Sequence, residues 1–172
     1  MTAAAFEYAD MGGGIVEPRI LMQLVVDGIP EPKGSVSAFV DKRTGKARIK
    51  FGTASKRKDG TRGDGPKRYR AWCRTVCAAA KAWQAVNRRL THDEEALALE
   101  IVFCMPRPVS TPRKIKLPIR KPDLDKLTRL VADCLTKSEV ITDDARIVEI
   151  HVRKQFALDG KPCARITIRE AW

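Results

Sequence analysis

Between Met105 and Pro122 the chain carries Pro106, Pro108, Pro112, Pro118 and Pro122. Proline fixes φ, lacks an amide hydrogen and restricts the residue before it, so neither a helix nor a central strand can run through such a segment. It must be an extended or irregular loop that separates the elements on either side. Directly after it, Leu124, Leu127, Leu130, Val131, Cys134 and Leu135 recur at three- and four-residue steps. That spacing predicts an amphipathic helix over Leu124–Lys137, with its apolar stripe turned to a core.

The remaining elements follow from the same two periodicities. Ile20 to Val26 is a short apolar, β-branched run and predicts a buried strand. Gly28-Ile29-Pro30-Glu31-Pro32-Lys33-Gly34 breaks it. Ser35–Val40 and Ala47–Phe51 predict a hairpin around Asp41-Lys42-Arg43-Thr44-Gly45, and Thr53–Gly65 a polar, basic loop. From Pro66 to Arg89 the positions Tyr69, Trp72, Cys73, Val76, Ala79, Ala80, Trp83 and Val86 predict a first helix, its aromatics serving the core. Ala96–Cys104, Arg146–Phe156 and Cys163–Arg169 predict three more strands. The sum is an α+β fold: a single domain over residues 19–172, with two main helices packed on a mixed β-sheet. Residues 1–18, with Gly12-Gly13-Gly14, are expected to be a flexible leader.

Composition narrows the class. A hydrophobic fraction of 44% is ordinary for a globular chain, and no apolar run approaches the roughly 20 residues that span a bilayer. The N-terminal stretch contains Glu7 and Asp10 and does not read as a signal peptide, so a cytoplasmic protein with no membrane partner is expected. Cys73, Cys77, Cys104, Cys134 and Cys163 are scattered without a CxxC pair, and the only histidines are His92 and His151. They are read as reduced thiols acting as small apolar core residues, not as a zinc site.

The formal net charge is +12. From Lys42 to Arg74 thirteen Lys or Arg face only Asp59 and Asp64, and Arg113, Lys114, Lys116, Arg120 and Lys121 form a second acid-free cluster. Any one lysine is ordinary solvated surface, but two such clusters point to phosphate-backbone binding. Lys33, Lys42, Arg43, Lys56, Arg57, Lys58, Arg113, Lys114, Lys116, Arg120, Lys121 and Lys126 are the candidate DNA contacts. Against this basic background stand Asp123, Asp125, Asp133 and Asp143-Asp144. Each taken alone has a plain structural account: Asp123 as a helix N-cap, Asp125 and Asp133 as solvated partners of Arg129, Asp143-Asp144 as a turn. Taken together they invite another one. Carboxylates repel a polyanion unless a cation bridges them to it, so Asp123, Asp125 and Asp144 are candidate ligands of Mg²⁺ (or Mn²⁺) beside a phosphodiester. Arg129, one turn below Asp125, is the candidate group for holding the scissile phosphate.

The run Pro122-Asp123-Leu124-Asp125-Lys126-Leu127, the helix end Asp133-Cys134-Leu135 and the segment Asp143-Asp144-Ala145-Arg146-Ile147-Val148 resemble the RusA family of Holliday junction resolvases, typical of phages and prophages. Gly28 to Gly34 is also similar to the opening segment of many such proteins, and the resemblance covers roughly Ile20 to Arg169. It implies that Asp123, Asp125 and Asp144 are the catalytic, metal-binding carboxylates. It also implies a homodimer that cuts four-way DNA junctions by paired symmetric nicks, in recombination and repair. Two positions depart from the family pattern: Arg129 stands where a lysine is usual, and Lys126 where asparagine is common. Asp133 is read as a supporting or structural acid. Other readings to separate are a nuclease for forks and flaps, and a non-catalytic basic DNA-binding protein indifferent to Mg²⁺.

Overall fold

The computed structural model describes residues 18–52, 65–87 and 95–171. The expected leader, the loop carrying Lys56, Arg57 and Lys58, and the last residues of the expected first helix lie outside the described residues. Within them the element order is β1 (Ile20–Asp27), β2 (Ser35–Val40), β3 (Ala47–Gly52), α1 (Gly65–Val86), β4 (Leu97–Met105), α2 (Leu124–Lys137), a 3-10 turn (Asp144–Arg146), β5 (Ile147–Phe156) and β6 (Cys163–Glu170). This is the α+β architecture that the periodicities predict.

The main sheet has the order β1-β6-β4-β5. β6 pairs antiparallel with both β1 and β4. β4 and β5 run parallel, with Leu97 opposite Ile147 and Met105 opposite Phe156. A parallel pair needs a crossover, and here the proline-rich loop and α2 together supply it. β2 and β3 form a separate antiparallel hairpin, its turn held by Asp41, whose carboxylate accepts from the Arg43 N–H at 3.0 Å.

Alternation along the strands decides which face the helices cover. Leu97, Leu99, Ile101 and Phe103 of β4, Ile166 and Ile168 of β6, and Met22 and Val26 of β1 join one cluster with Trp72, Val76 and Ala80 of α1 and Leu127, Leu130, Val131 and Leu135 of α2. Each large aliphatic side chain buried there contributes about 1.5–3 kcal/mol. At the end of β1, Gly28 sits at φ +125, and a Cβ there would lie 3.3 Å from the Trp72 ring. The position therefore needs glycine for both its backbone and its space.

α2 ends where its hydrogen bonds reverse. The Glu139 N–H donates to Thr136 O at 2.9 Å and the Val140 N–H to Leu135 O at 3.1 Å, with Glu139 at φ 60. That is the paired-bond termination usually built on glycine, closed by burial of Leu135 and Val140.

Candidate active site

Two surfaces meet at the start of α2, and adjacent aspartates are divided between them. Asp123 is the N-cap residue, with extended φ −71 and ψ 141, so it lies just outside the helix. Its carboxylate makes no capping bond. Instead it accepts from Lys126 Nζ at 2.7 Å. That hydrogen bond, and then the lysine's charge, hold the Asp123 carboxyl below its ordinary range, and Asp123 in turn raises Lys126. Asp125 lies in the first helical turn and is exposed. Its side chain faces a shallow cleft between α2 and β5, lined also by Thr128, Arg129, Ala132, Asp144, Ile147, Ile150 and Val152.

Asp144 enters that cleft from the 3-10 turn. Asp143 caps the turn by accepting from the Ala145 N–H at 2.8 Å, so of the Asp143-Asp144 pair one carboxylate shapes the backbone and the other, exposed, serves the cleft. Arg146 secures the turn by donating to Glu95 O at 2.8 and 3.1 Å and to Thr142 Oγ1 at 3.2 Å. The structure thus brings together Asp125, Arg129 and Asp144.

It does not bring Asp123 into the same group. Ligands of one Mg²⁺ at about 2.1 Å lie within about 4.2 Å of each other. Among the described residues the three aspartates do not gather within even 4.8 Å. The topology gives the reason. Lys154 of β5 donates to Pro122 O at 2.8 Å and to Arg120 O at 3.1 Å, which fixes the approach to Asp123 beside one end of that strand. Asp144 leads into the other end at Ile147, and it shares the cleft with Asp125 and Leu124, not with Asp123. In this conformation Asp125 and Asp144 share the cleft while the Asp123 carboxylate is turned to Lys126. The donors that share the cleft do fit a hard cation in kind: two exposed carboxylates, oxygen donors, with room for retained water.

Asp123 instead borders the larger surface, a groove of about 730 Å³ between the Ile29–Gly34 segment, the start of α1 and the proline-rich loop. Four of the candidate DNA contacts, Lys33, Arg120, Lys121 and Lys126, line it together with Arg68. Lys33 is also anchored: its N–H donates to Lys126 O at 3.0 Å and its ammonium pairs with Asp133 at 2.5 Å. Asp133 thus anchors the Lys33 side chain against α2. Arg68 pairs with Glu31 at 3.1 Å, and burial raises the Glu31 carboxyl while Arg68 opposes that. Lys42, Arg43, Arg113, Lys114 and Lys116 are exposed in the β2–β3 turn and the proline-rich loop. Lys154 and Thr128 were not singled out from the sequence. Lys154 is one cation among several on an alternating strand, and only the fold shows that two carbonyls of the preceding loop meet it.

A basic α+β domain with a carboxylate cleft beside a cationic groove has the make-up of an enzyme that works on nucleic acid. The family profile described as Endodeoxyribonuclease RusA matches residues 43–169. The chain belongs to this family, which makes it an endodeoxyribonuclease. No curated protein matches it.

Proposed function

We propose that the protein is a divalent-metal-dependent endonuclease that resolves four-way DNA junctions by paired symmetric nicks. The observation that carries this reading is the cleft in which Asp125, Arg129 and Asp144 meet, in a chain of net charge +12. Asp125 and Asp144 would hold Mg²⁺ or Mn²⁺. The bound ion would supply charge neutralisation and an activated water for attack at phosphorus. Arg129 orients the scissile phosphate from one turn below Asp125, its planar fork suited to two phosphate oxygens. Asp123 is assigned as the third carboxylate, released from Lys126 when a phosphate takes over that ammonium. Lys126, Lys121, Arg120 and Arg68 place the duplex arm along the groove by phosphate contacts, which position DNA without reading bases.

A homodimer suits the task, because a four-way junction has approximate two-fold symmetry and one subunit can serve each of two opposed strands. The site of action is the bacterial or phage-infected cytoplasm, in recombination and repair. No helix among the described residues is long and apolar enough to cross a membrane.

The test is incubation with a synthetic immobile four-way junction, with and without Mg²⁺, beside a Y-shaped fork and a linear duplex. Paired nicks on the junction that require Mg²⁺ support the reading. Linear duplex cut as fast as the junction would remove the resolvase assignment. Preference for the fork would shift it to a broader branched-DNA nuclease, and binding without cutting at any metal concentration would leave a DNA-binding protein. Junction affinity should fall steeply with salt, with a log–log slope of several units, because each phosphate contact releases counterions.

A further inference from the structure

Away from the carboxylates, α1 and α2 bring three cysteines together. Cys73 and Cys77 lie one turn apart on α1, and Cys134 faces them from α2. The three sulfurs all lie within 4.8 Å of one another, with Cys73 Sγ 3.3 Å from Cys134 Sγ. Among the described residues this is the one group of three such ligands. We propose that these three thiols form a binding site for a thiophilic d¹⁰ cation such as Zn²⁺, separate from the hard-cation cleft.

The geometry is close to what such an ion needs. With metal–sulfur bonds of about 2.3 Å, sulfurs of one coordination sphere sit about 3.7–4.0 Å apart. The existing spread reaches that with shifts of less than an ångström in each side chain. An i, i+4 pair on one helix facing a single ligand on another is also a rigid frame, set by backbone that is already packed. Access is provided, since Cys134 is fully buried but Cys73 and Cys77 are only half-buried. Charge is partly compensated: Lys137, one turn beyond Cys134, interacts electrostatically with Cys73 and Cys134.

Packing alone asks less of these residues. Small apolar side chains at the three positions would fill the helix interface equally well, and a disulfide would use two sulfurs and leave the third without a role. Each thiol that ligates gives up its proton to solvent, and the fourth position is left to water. The ion would join the C-terminal half of α2, the helix bearing Asp125 and Arg129, to α1.

The test uses the full-length, reduced protein with Cd²⁺ as an optical probe and Zn²⁺ as the competing ion. The result expected is sulfur-to-cadmium charge-transfer absorption saturating at one equivalent, displaced by Zn²⁺, and a melting temperature raised by several degrees in Zn²⁺. Cys73→Ser and Cys77→Ser, at half-exposed positions, should each weaken Cd²⁺ binding at least 100-fold while circular dichroism stays unchanged. Cys104→Ser, in the buried pair opposite Cys163 on the sheet, should leave it intact. Absence of the band at one equivalent overturns the proposal, as does a band that persists in both serine variants.

Discussion

The two sides of α2 treat their acids in opposite ways. On the groove side Asp123 is neutralised locally by Lys126 at 2.7 Å, and Asp133 by Lys33 at 2.5 Å. On the cleft side Asp125 and Asp144 line one surface with Arg129 and apolar β5 side chains. Carboxylates that already own an ammonium have their charge satisfied in this conformation and must leave that partner before they can hold a cation. Those sharing an open cleft with one guanidinium have an excess of negative charge that a divalent ion can satisfy. The contrast separates acids whose charge is already matched from acids that are open to a cation.

The strongest test of that contrast removes charge without changing shape. Asp125→Asn and Asp144→Asn are each expected to lower the single-turnover cleavage rate of a four-way junction about 10³-fold or more, roughly 4 kcal/mol of barrier. Junction binding, measured by gel shift, should persist in both. The same loss is expected for Asp123→Asn, because the proposal has that carboxylate leave Lys126 during the reaction. Activity retained in Asp123→Asn alone would confine the machinery to the cleft.

A smaller effect should follow from the anchor between the two sides. Lys154→Met leaves the Arg120 and Pro122 carbonyls without their shared ammonium. It is expected to cost about 1–3 kcal/mol in urea denaturation, together with a fall in cleavage rate, since Asp123 follows this loop. Lys126→Asn acts on the pairing itself: freeing Asp123 should lower the Mg²⁺ concentration for half-maximal cleavage by about 3- to 10-fold. An unchanged Mg²⁺ requirement would show that Asp123 takes no part in metal binding. Smallest is Lys33→Ala, which breaks a partly exposed ion pair and should cost about 1 kcal/mol or less in the same denaturation assay.

The sequence carried the elements and the chemistry further than their arrangement. α2 was legible to the residue because its leucine stripe, the proline barrier before it and the polar turn after it all act within a few positions. The strands were legible for the same local reason, with boundaries displaced by about one residue. The parallel β4–β5 pairing was not legible, since register between distant strands is decided by the whole sheet. With it went the placement of Asp144 in one cleft with Asp125 and Arg129, which spacing along the chain cannot reveal. The three-cysteine cluster was hidden in the same way. Cys73 and Cys77 could be placed on one helix face, but nothing in the spacing told that Cys134, on a helix more than fifty residues away, would pack against them.

The placement of β6 has a consequence for how the molecule is assembled. It is the final strand to leave the ribosome of those described, yet it lies in the middle of the sheet, between β1 and β4. Until it is made, β1 has no hydrogen-bonded neighbour and waits through the synthesis of nearly everything else. Completion of this sheet is therefore a late, all-or-nothing event. A nascent product stopped before Cys163 would expose two unpaired edges, the kind of surface that chaperones and aggregates recognise.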